Sequence, residues 1–242
     1  MKLIIIRHGD PDYSIDSLTE KGWREADLLS KRIAALKVKD FYVSPLGRAK
    51  DTASVTLNKM QREAKILPWL REFEAPIIDE HTGEKRIPWD WLPEEWTKVE
   101  EYYDRNLWHK QEVMQEGHIY EEACRVYTGL DDLLKEHGYE RDGRIYHAVK
   151  ANTDTVVLFC HFGVECVMLA HLLGISPMIL WHSFCAAPTS VTTLITEERR
   201  EGKASFRMSA FGDISHLYAD GEEPAFAARF CETYDNMNER HD

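Results

Sequence analysis

The sequence predicts an α/β fold: a three-layer α/β/α sandwich with a mostly parallel sheet and a helical cap insertion. Three observations carry that expectation. Short continuous apolar runs at residues 3–6, 41–43 and 155–160 read as strands buried on both faces, as a parallel sheet requires. Segments of helical period alternate with them, the rhythm of an α/β protein. Between about residues 75 and 152 the rhythm breaks, and the chain becomes rich in Trp, Tyr and Glu with no convincing strand. We therefore expect a single domain over residues 1–242, with the cap inserted at about 75–152.

Each element has its own signal. Thr19 is a plausible N-cap for a helix in which Trp23, Ala26, Leu29, Ile33 and Leu36 recur at helical spacing. Ser44 and Pro45 resemble the N-cap and first residue of a second helix. In the insertion, residues 93–113 and 119–137 read as two long helices. The latter carries Ala123, Val126, Leu130, Leu133 and Leu134 on one stripe. After the strand at 155–160, an apolar helix over 163–173 is closed by Gly174. Residues 191–196 and 205–211 form a late hairpin, and residues 223–237 a final helix.

Composition bounds the function. The 242 residues are 43% hydrophobic and 30% charged, which fits a soluble globular protein. A net charge of -12 argues against general nucleic-acid or anionic-membrane binding, which needs a basic face. Cys124, Cys160, Cys166, Cys185 and Cys231 show no metal or redox spacing, so a reducing compartment is expected. The four-residue apolar run after Lys2 is too short for a secretory signal. We expect a cytoplasmic protein that does not cross a membrane. The sequence carries no signal of oligomeric state.

Three motifs follow three apolar strands, where ligands bind in open α/β sheets. They are Arg7-His8-Gly9, Ser44-Pro45-Leu46-Gly47-Arg48-Ala49 and His161-Phe162-Gly163. Leu70-Arg71-Glu72 lies between them in sequence. The residue types suit phosphoryl transfer. A histidine attacks when one ring nitrogen is unprotonated and the other is held by a hydrogen bond. Arg7 and Arg48 each present a fork that matches phosphate oxygens. His161 adds a donor at a helix start, where backbone N–H groups also favour anions. Glu72 can protonate a leaving oxygen and then activate water. The arginines supply the positive charge, so neither a metal nor another cofactor is expected.

These motifs, with Leu18-Thr19-Glu20-Lys21-Gly22, the helix after His161 and Asp213-Ile214-Ser215-His216-Leu217, resemble the histidine phosphatase superfamily, the phosphoglycerate mutase-like family. The resemblance covers roughly residues 1–74 and 153–218. It implies that His8 is the nucleophile, that Arg7, Arg48 and His161 form the phosphate pocket, and that Glu72 is the proton donor. The insertion matches the family only in position. One departure is Phe162, where many members carry glycine directly after the second histidine.

Simpler readings stand beside these. Glu74, Glu80 and Glu84 are alternative carboxylates for the acid. Tyr13, Arg86, Trp89 and Trp91 are candidate substrate contacts, although Tyr13 also suits a turn and the cap aromatics also suit a small core. His171, His182 and His216 read as structural. The leading expectation is a phosphomonoester hydrolase acting on a small phosphorylated metabolite. Phosphoglycerate mutase is the alternative, made less favourable by the acidic loop 10–17, which would repel a phosphorylated carboxylate. A non-catalytic phospho-ligand-binding protein on the same fold is a third reading.

Overall fold

The computed structural model describes residues 1–79, 82–225 and 232–236. Eight strands form one sheet: β1 (Lys2–Arg7), β2 (Asp40–Val43), β3 (Lys65–Ile66), β4 (Tyr139–Asp142), β5 (Ile145–Ala148), β6 (Thr155–Cys160), β7 (Val191–Arg200) and β8 (Lys203–Asp213). Their order is β3-β2-β6-β1-β7-β8-β5-β4. The pairs from β3 to β1 are parallel, and those from β1 to β4 are antiparallel. The expected parallel core is therefore present, extended by an antiparallel half.

The continuous apolar runs have a direct cause. In β1, Leu3 and Ile5 enter one core, whereas Ile4 and Ile6 enter the other. Helices α1 (Glu20–Ala34) and α2 (Gly47–Met60) cover the second core through Leu29, Ile33, Ala49 and Ala53. The first lies under α3 (Ile119–Glu136), α4 (Phe162–Leu173) and α5 (Pro177–Ser183). It is continuous with the insertion through Trp96, Tyr102 and Trp108.

Thr19 caps α1, its hydroxyl accepting from Gly22 N–H at 3.0 Å. Gly174 closes α4 in the left-handed conformation, φ 72°. Four expectations need correction. Helix α2 starts at Gly47 with Leu46 at its cap, because the Ser44 hydroxyl turns to His161 instead. Trp23 lies on the exposed side of α1.

The segment 93–113 is not one helix but short pieces at Pro93–Trp96, Glu100–Tyr103 and Glu112–Glu116. Asp104 Oδ1 accepts from Asn106 and Leu107 N–H, a local turn that competes with helix continuation. Finally, β4 and β5 are strands inside the supposedly strand-free insertion. They form a hairpin over a two-residue loop opened by Gly143, φ 61°, and β5 joins β8. Of the helix expected over 223–237, residues 226–231 and 237 lie outside the described residues. The described parts, 223–225 and 232–236, hold no helix, and Thr233 and Asn236 form an isolated bridge.

Candidate active site

Arg7 ends β1, Ser44 follows β2 and His161 follows β6. Parallel strands end on one edge, so their motifs meet there. The His8 and His161 rings lie 5.1 Å apart, centroid to centroid. His8 is 2% exposed and fixed at several points. Its N–H donates to Cys160 O at 3.0 Å, and its carbonyl accepts from Thr189 N–H at 3.1 Å. Its Nδ1 lies 2.8 Å from Gly9 O. A carbonyl can only accept, so Nδ1 carries the proton and Nε2 keeps its lone pair. Burial pushes the His8 pKa well below its usual value, and Arg7 and Arg48 push it further. The ring is neutral at pH 7.

The glycines of two motifs allow close approach. A Cβ on Gly9 would stand 2.8 Å from Gly22 O, and one on Gly22 would stand 2.3 Å from Asp10 O. The loop after β1 is thus pressed onto the first turn of α1. Gly9 N–H donates to the Thr52 hydroxyl at 2.9 Å, tying the loop to α2.

Arg7 is buried and donates to Ala186 O. Desolvation lowers its pKa, opposed by Tyr13, Glu72, Cys185 and Glu165. Arg48, on the first turn of α2, pairs with Asp16 at 2.7 Å. Asp16 Oδ2 also accepts from Gly47 N–H at 2.6 Å. Against the effect of burial, these donors hold the Asp16 carboxyl below its usual range. The Arg48 guanidinium sits 5.4 Å over the exposed Tyr13 ring, which places Tyr13 at the rim.

His161 is fully buried, and its Nε2 lies 2.7 Å from the Ser44 hydroxyl. That oxygen also accepts from Leu46 N–H at 3.3 Å. His161 Nδ1 is buried without a protein partner. Burial, with His8, Arg48 and Arg7, pushes the His161 pKa well down. The ring is neutral.

Glu72 sits at the start of α4. Its carboxylate accepts from Phe73 N–H at 2.7 Å, Val164 N–H at 2.9 Å and Gly163 N–H at 3.3 Å. Burial raises its pKa, partly offset by these donors and by Arg7. Gly163 is required here: a Cβ would meet Glu72 Oε1 and Trp89 Nε1, each at 2.7 Å. Phe162 turns into the core and meets Trp89 edge-on at 6.5 Å.

Other candidates separate. Trp89 stands beside Glu72 and Gly163, its indole N–H donating to Phe73 O at 2.8 Å. Trp91 is not with them: it packs on Tyr102 in the cap core, 5.5 Å away edge-on. Arg86 is held by Asp79 and Glu84, each at 3.6 Å, in a short cap ribbon. Opposite charges nearby and an apolar cap account for both departures. Glu74 and Glu84 are exposed, and Glu80 lies outside the described residues. His171 pairs with Asp131 at 2.9 Å, and His182 contacts Pro88 O at 3.0 Å. His216 reaches the Thr189 hydroxyl at 3.2 Å, directly behind His8.

The sequence reading missed Asp16, Thr52 and Thr189. Asp16 and Thr189 have φ of 48° and 58°, a backbone state with no clear sequence mark in non-glycine residues. Thr52 is one turn after Arg48, which helical spacing could have flagged. Among the described residues, no group of three or more His, Cys, Asp or Glu is placed to hold a metal ion. No helix among them is long and apolar enough to cross a membrane.

Fold and site together define an α/β protein with a buried two-histidine, two-arginine cluster at the strand ends. The model of the histidine phosphatase superfamily (branch 1) matches residues 3–207, and the chain belongs to that superfamily, whose enzymes are phosphatases and mutases. A 2,3-bisphosphoglycerate-dependent phosphoglycerate mutase of Thermoplasma acidophilum is 33% identical over 70 residues. That match spans 25% of this chain and 35% of the mutase.

Among solved structures, phosphoserine phosphatase of Entamoeba histolytica in complex with 3-phosphoglyceric acid aligns with TM-score 0.57 and 22% identity, covering 89% of this chain and 98% of that one. A mycobacterial glucosyl-3-phosphoglycerate phosphatase aligns with TM-score 0.57 and 17% identity over 87% and 98%. The alpha-ribazole phosphatase of Shigella flexneri gives 0.54 and 20% over 86% and 95%. At these identities the likeness shows the fold.

Proposed function

We propose that the protein is a phosphomonoester hydrolase that acts on a small phosphorylated metabolite through a phosphohistidine on His8. The observation that carries this reading is the state of His8: Nδ1–H held by Gly9 O, Nε2 unprotonated, the ring neutral and set among Arg7, Arg48 and His161. Nε2 attacks phosphorus as the bond to the leaving oxygen breaks. Glu72 gives that oxygen its proton, its raised pKa favouring the acid form. Arg7, Arg48 and His161 Nδ1–H hold the phosphoryl oxygens, on which the transition-state charge lies. Glu72 then takes a proton from water, whose oxygen attacks the phosphohistidine and releases phosphate.

One observation favours hydrolysis over transfer. Solved fold relatives that align over most of their length include a phosphoserine phosphatase, a glucosyl-3-phosphoglycerate phosphatase and an alpha-ribazole phosphatase. A mutase reading rests on the Thermoplasma relative; interconversion of 2- and 3-phosphoglycerate exceeding their hydrolysis would establish it instead. Cys124, Cys160 and Cys166 form no disulfide among the described residues, which supports a reducing, cytoplasmic setting.

The test is trapping with radiolabelled aryl phosphate. An acid-labile, base-stable phosphoenzyme is expected, absent in His8→Ala together with turnover. Label on serine or aspartate, or full activity in His8→Ala, would refute the assignment.

A further inference from the structure

We propose that a cleft at the far end of α4 binds a second ligand, a small anion carrying a flat ring, the chemistry of a mononucleotide. The cleft has a volume of about 580 Å³, within the range of small-molecule sites. It lies between the insertion, the β4–β5 hairpin and the C-terminal end of α4. Helix α4 has 12 residues, so the cleft is roughly 18 Å along its axis from His161.

Charge sets this cleft apart. The chain carries a net charge of -12, yet the lining includes Arg105, Lys110 and Arg141 and no Asp or Glu. None of these three cations makes an ion pair with a carboxylate among the described residues. Arg105 Nε is buried without a hydrogen-bond partner.

The guanidinium groups are held in place. Arg105 Nη1 lies over Gly174, 2.6 Å from where a Cβ would stand. Arg141 is anchored by Gly143 O and the Tyr146 hydroxyl, each at 2.8 Å, and by His171 O. The carbonyls at the end of α4 account for part of this positive charge. A helix C-terminus is equivalent to roughly half a negative charge, and Asp131 adds one behind Arg141 through the Tyr146 hydroxyl, which leaves about half of the positive charge uncompensated, chiefly on Arg105 and Lys110. A phosphate or carboxylate would complete the balance.

The ring preference comes from the walls. Tyr120 and His109 stack at 3.8 Å and 17°, and Tyr127 and His171 stack at 4.4 Å and 13°. Both stacks line the cleft with Trp108. Tyr120 is 43% exposed, so it can take a further ring. Burial, with Lys110, lowers the pKa of His109, which keeps its ring neutral as part of the platform.

The test is calorimetric titration of His8→Ala protein, which cannot turn over the probe, with AMP, adenosine and inorganic phosphate. It is repeated after adding Arg105→Glu or Lys110→Glu. Lys110 is exposed, so its replacement does not threaten the fold. AMP is expected to bind more tightly than adenosine or phosphate, and roughly tenfold or more weaker in each charge-reversal protein, a loss of about 1.4 kcal/mol. The same reversals in the wild-type chain are expected to leave turnover of nitrophenyl phosphate unchanged. AMP binding that is unaltered by both reversals would belong to the catalytic pocket and overturn the proposal. So would AMP binding no tighter than phosphate.

Discussion

Glu165 offers a test of how the site is supported from behind. It lies one turn into α4, is 1% exposed, and neither carboxylate oxygen makes a geometrically complete hydrogen bond. Burial pushes its pKa from 4.5 up to about 7, against the pull of Thr192 and Arg7. A carboxyl whose folded pKa is raised stabilises the fold fully below its unfolded pKa. That contribution is lost as pH rises toward the folded value. A shift of about 2.5 units corresponds to about 3 kcal/mol lost between pH 4.5 and 7. Glu165→Gln keeps the shape but cannot ionise. The stability difference between variant and wild type should therefore grow in the variant's favour by about 3 kcal/mol from pH 4.5 to pH 8. Glu25, also raised to about 7, titrates in both proteins and cancels. Urea unfolding at several pH values measures the difference. A constant offset across that range would mean that the Glu165 carboxyl ionises as easily in the fold as in water.

Four further outcomes follow from the site. Ser44→Ala removes the hydroxyl bonded to His161 Nε2 and should lower kcat by about tenfold, the cost of one buried hydrogen bond. Ser44→Thr should recover much of it, whereas equal rates in all three would mean that this bond does not position His161. Glu72→Gln should slow alkyl phosphates by on the order of 10²-fold and nitrophenyl phosphate much less in the phosphorylation step. Wild-type activity should fall as pH drops through the lowered His8 pKa, and as pH rises through the raised Glu72 pKa. The alkaline fall should vanish in Glu72→Gln if that carboxyl is the acid. Turnover should survive a strong chelator if Arg7, Arg48 and His161 supply the clamp as proposed; loss of activity restored by zinc or magnesium would contradict this.

Sequence and structure agree where local chemistry is self-contained. The run at β1 is apolar at every position because successive side chains enter different cores, and that pattern needs no partner to be read. Thr19 and Gly174 likewise announce their caps. Strands β4 and β5 escaped because their Tyr, Glu, Arg and His composition is not strand-like on its own. Tyr139 and Tyr146 are buried only once Phe206 of β8 packs beside them. The Asp142-Gly143 pair was the available hint. Pro93 and Pro45 misled in a common direction. Both are good first residues of a helix, but neither controls how far the helix runs or whether Ser44 is free to cap it.

The same limit explains which parts of the site were legible. Arg7, His8, Arg48 and His161 stand at or just beyond the carboxyl ends of β1, β2 and β6, where the parallel-sheet rule directs attention. Strand β7 runs antiparallel to β1, so its amino end, not its carboxyl end, faces the site. The residues just before it therefore hold the surroundings of His8: Ala186 O takes Arg7, and Thr189 N–H takes the His8 carbonyl. His216, just after β8, braces Thr189 in turn. A rule built on parallel strands finds the charged side chains of the candidate site. The backbone groups that fix their aim come from the antiparallel neighbour, through contacts between residues about 180 positions apart. Precision in this site thus depends on the β1–β7 pairing as much as on the motifs themselves.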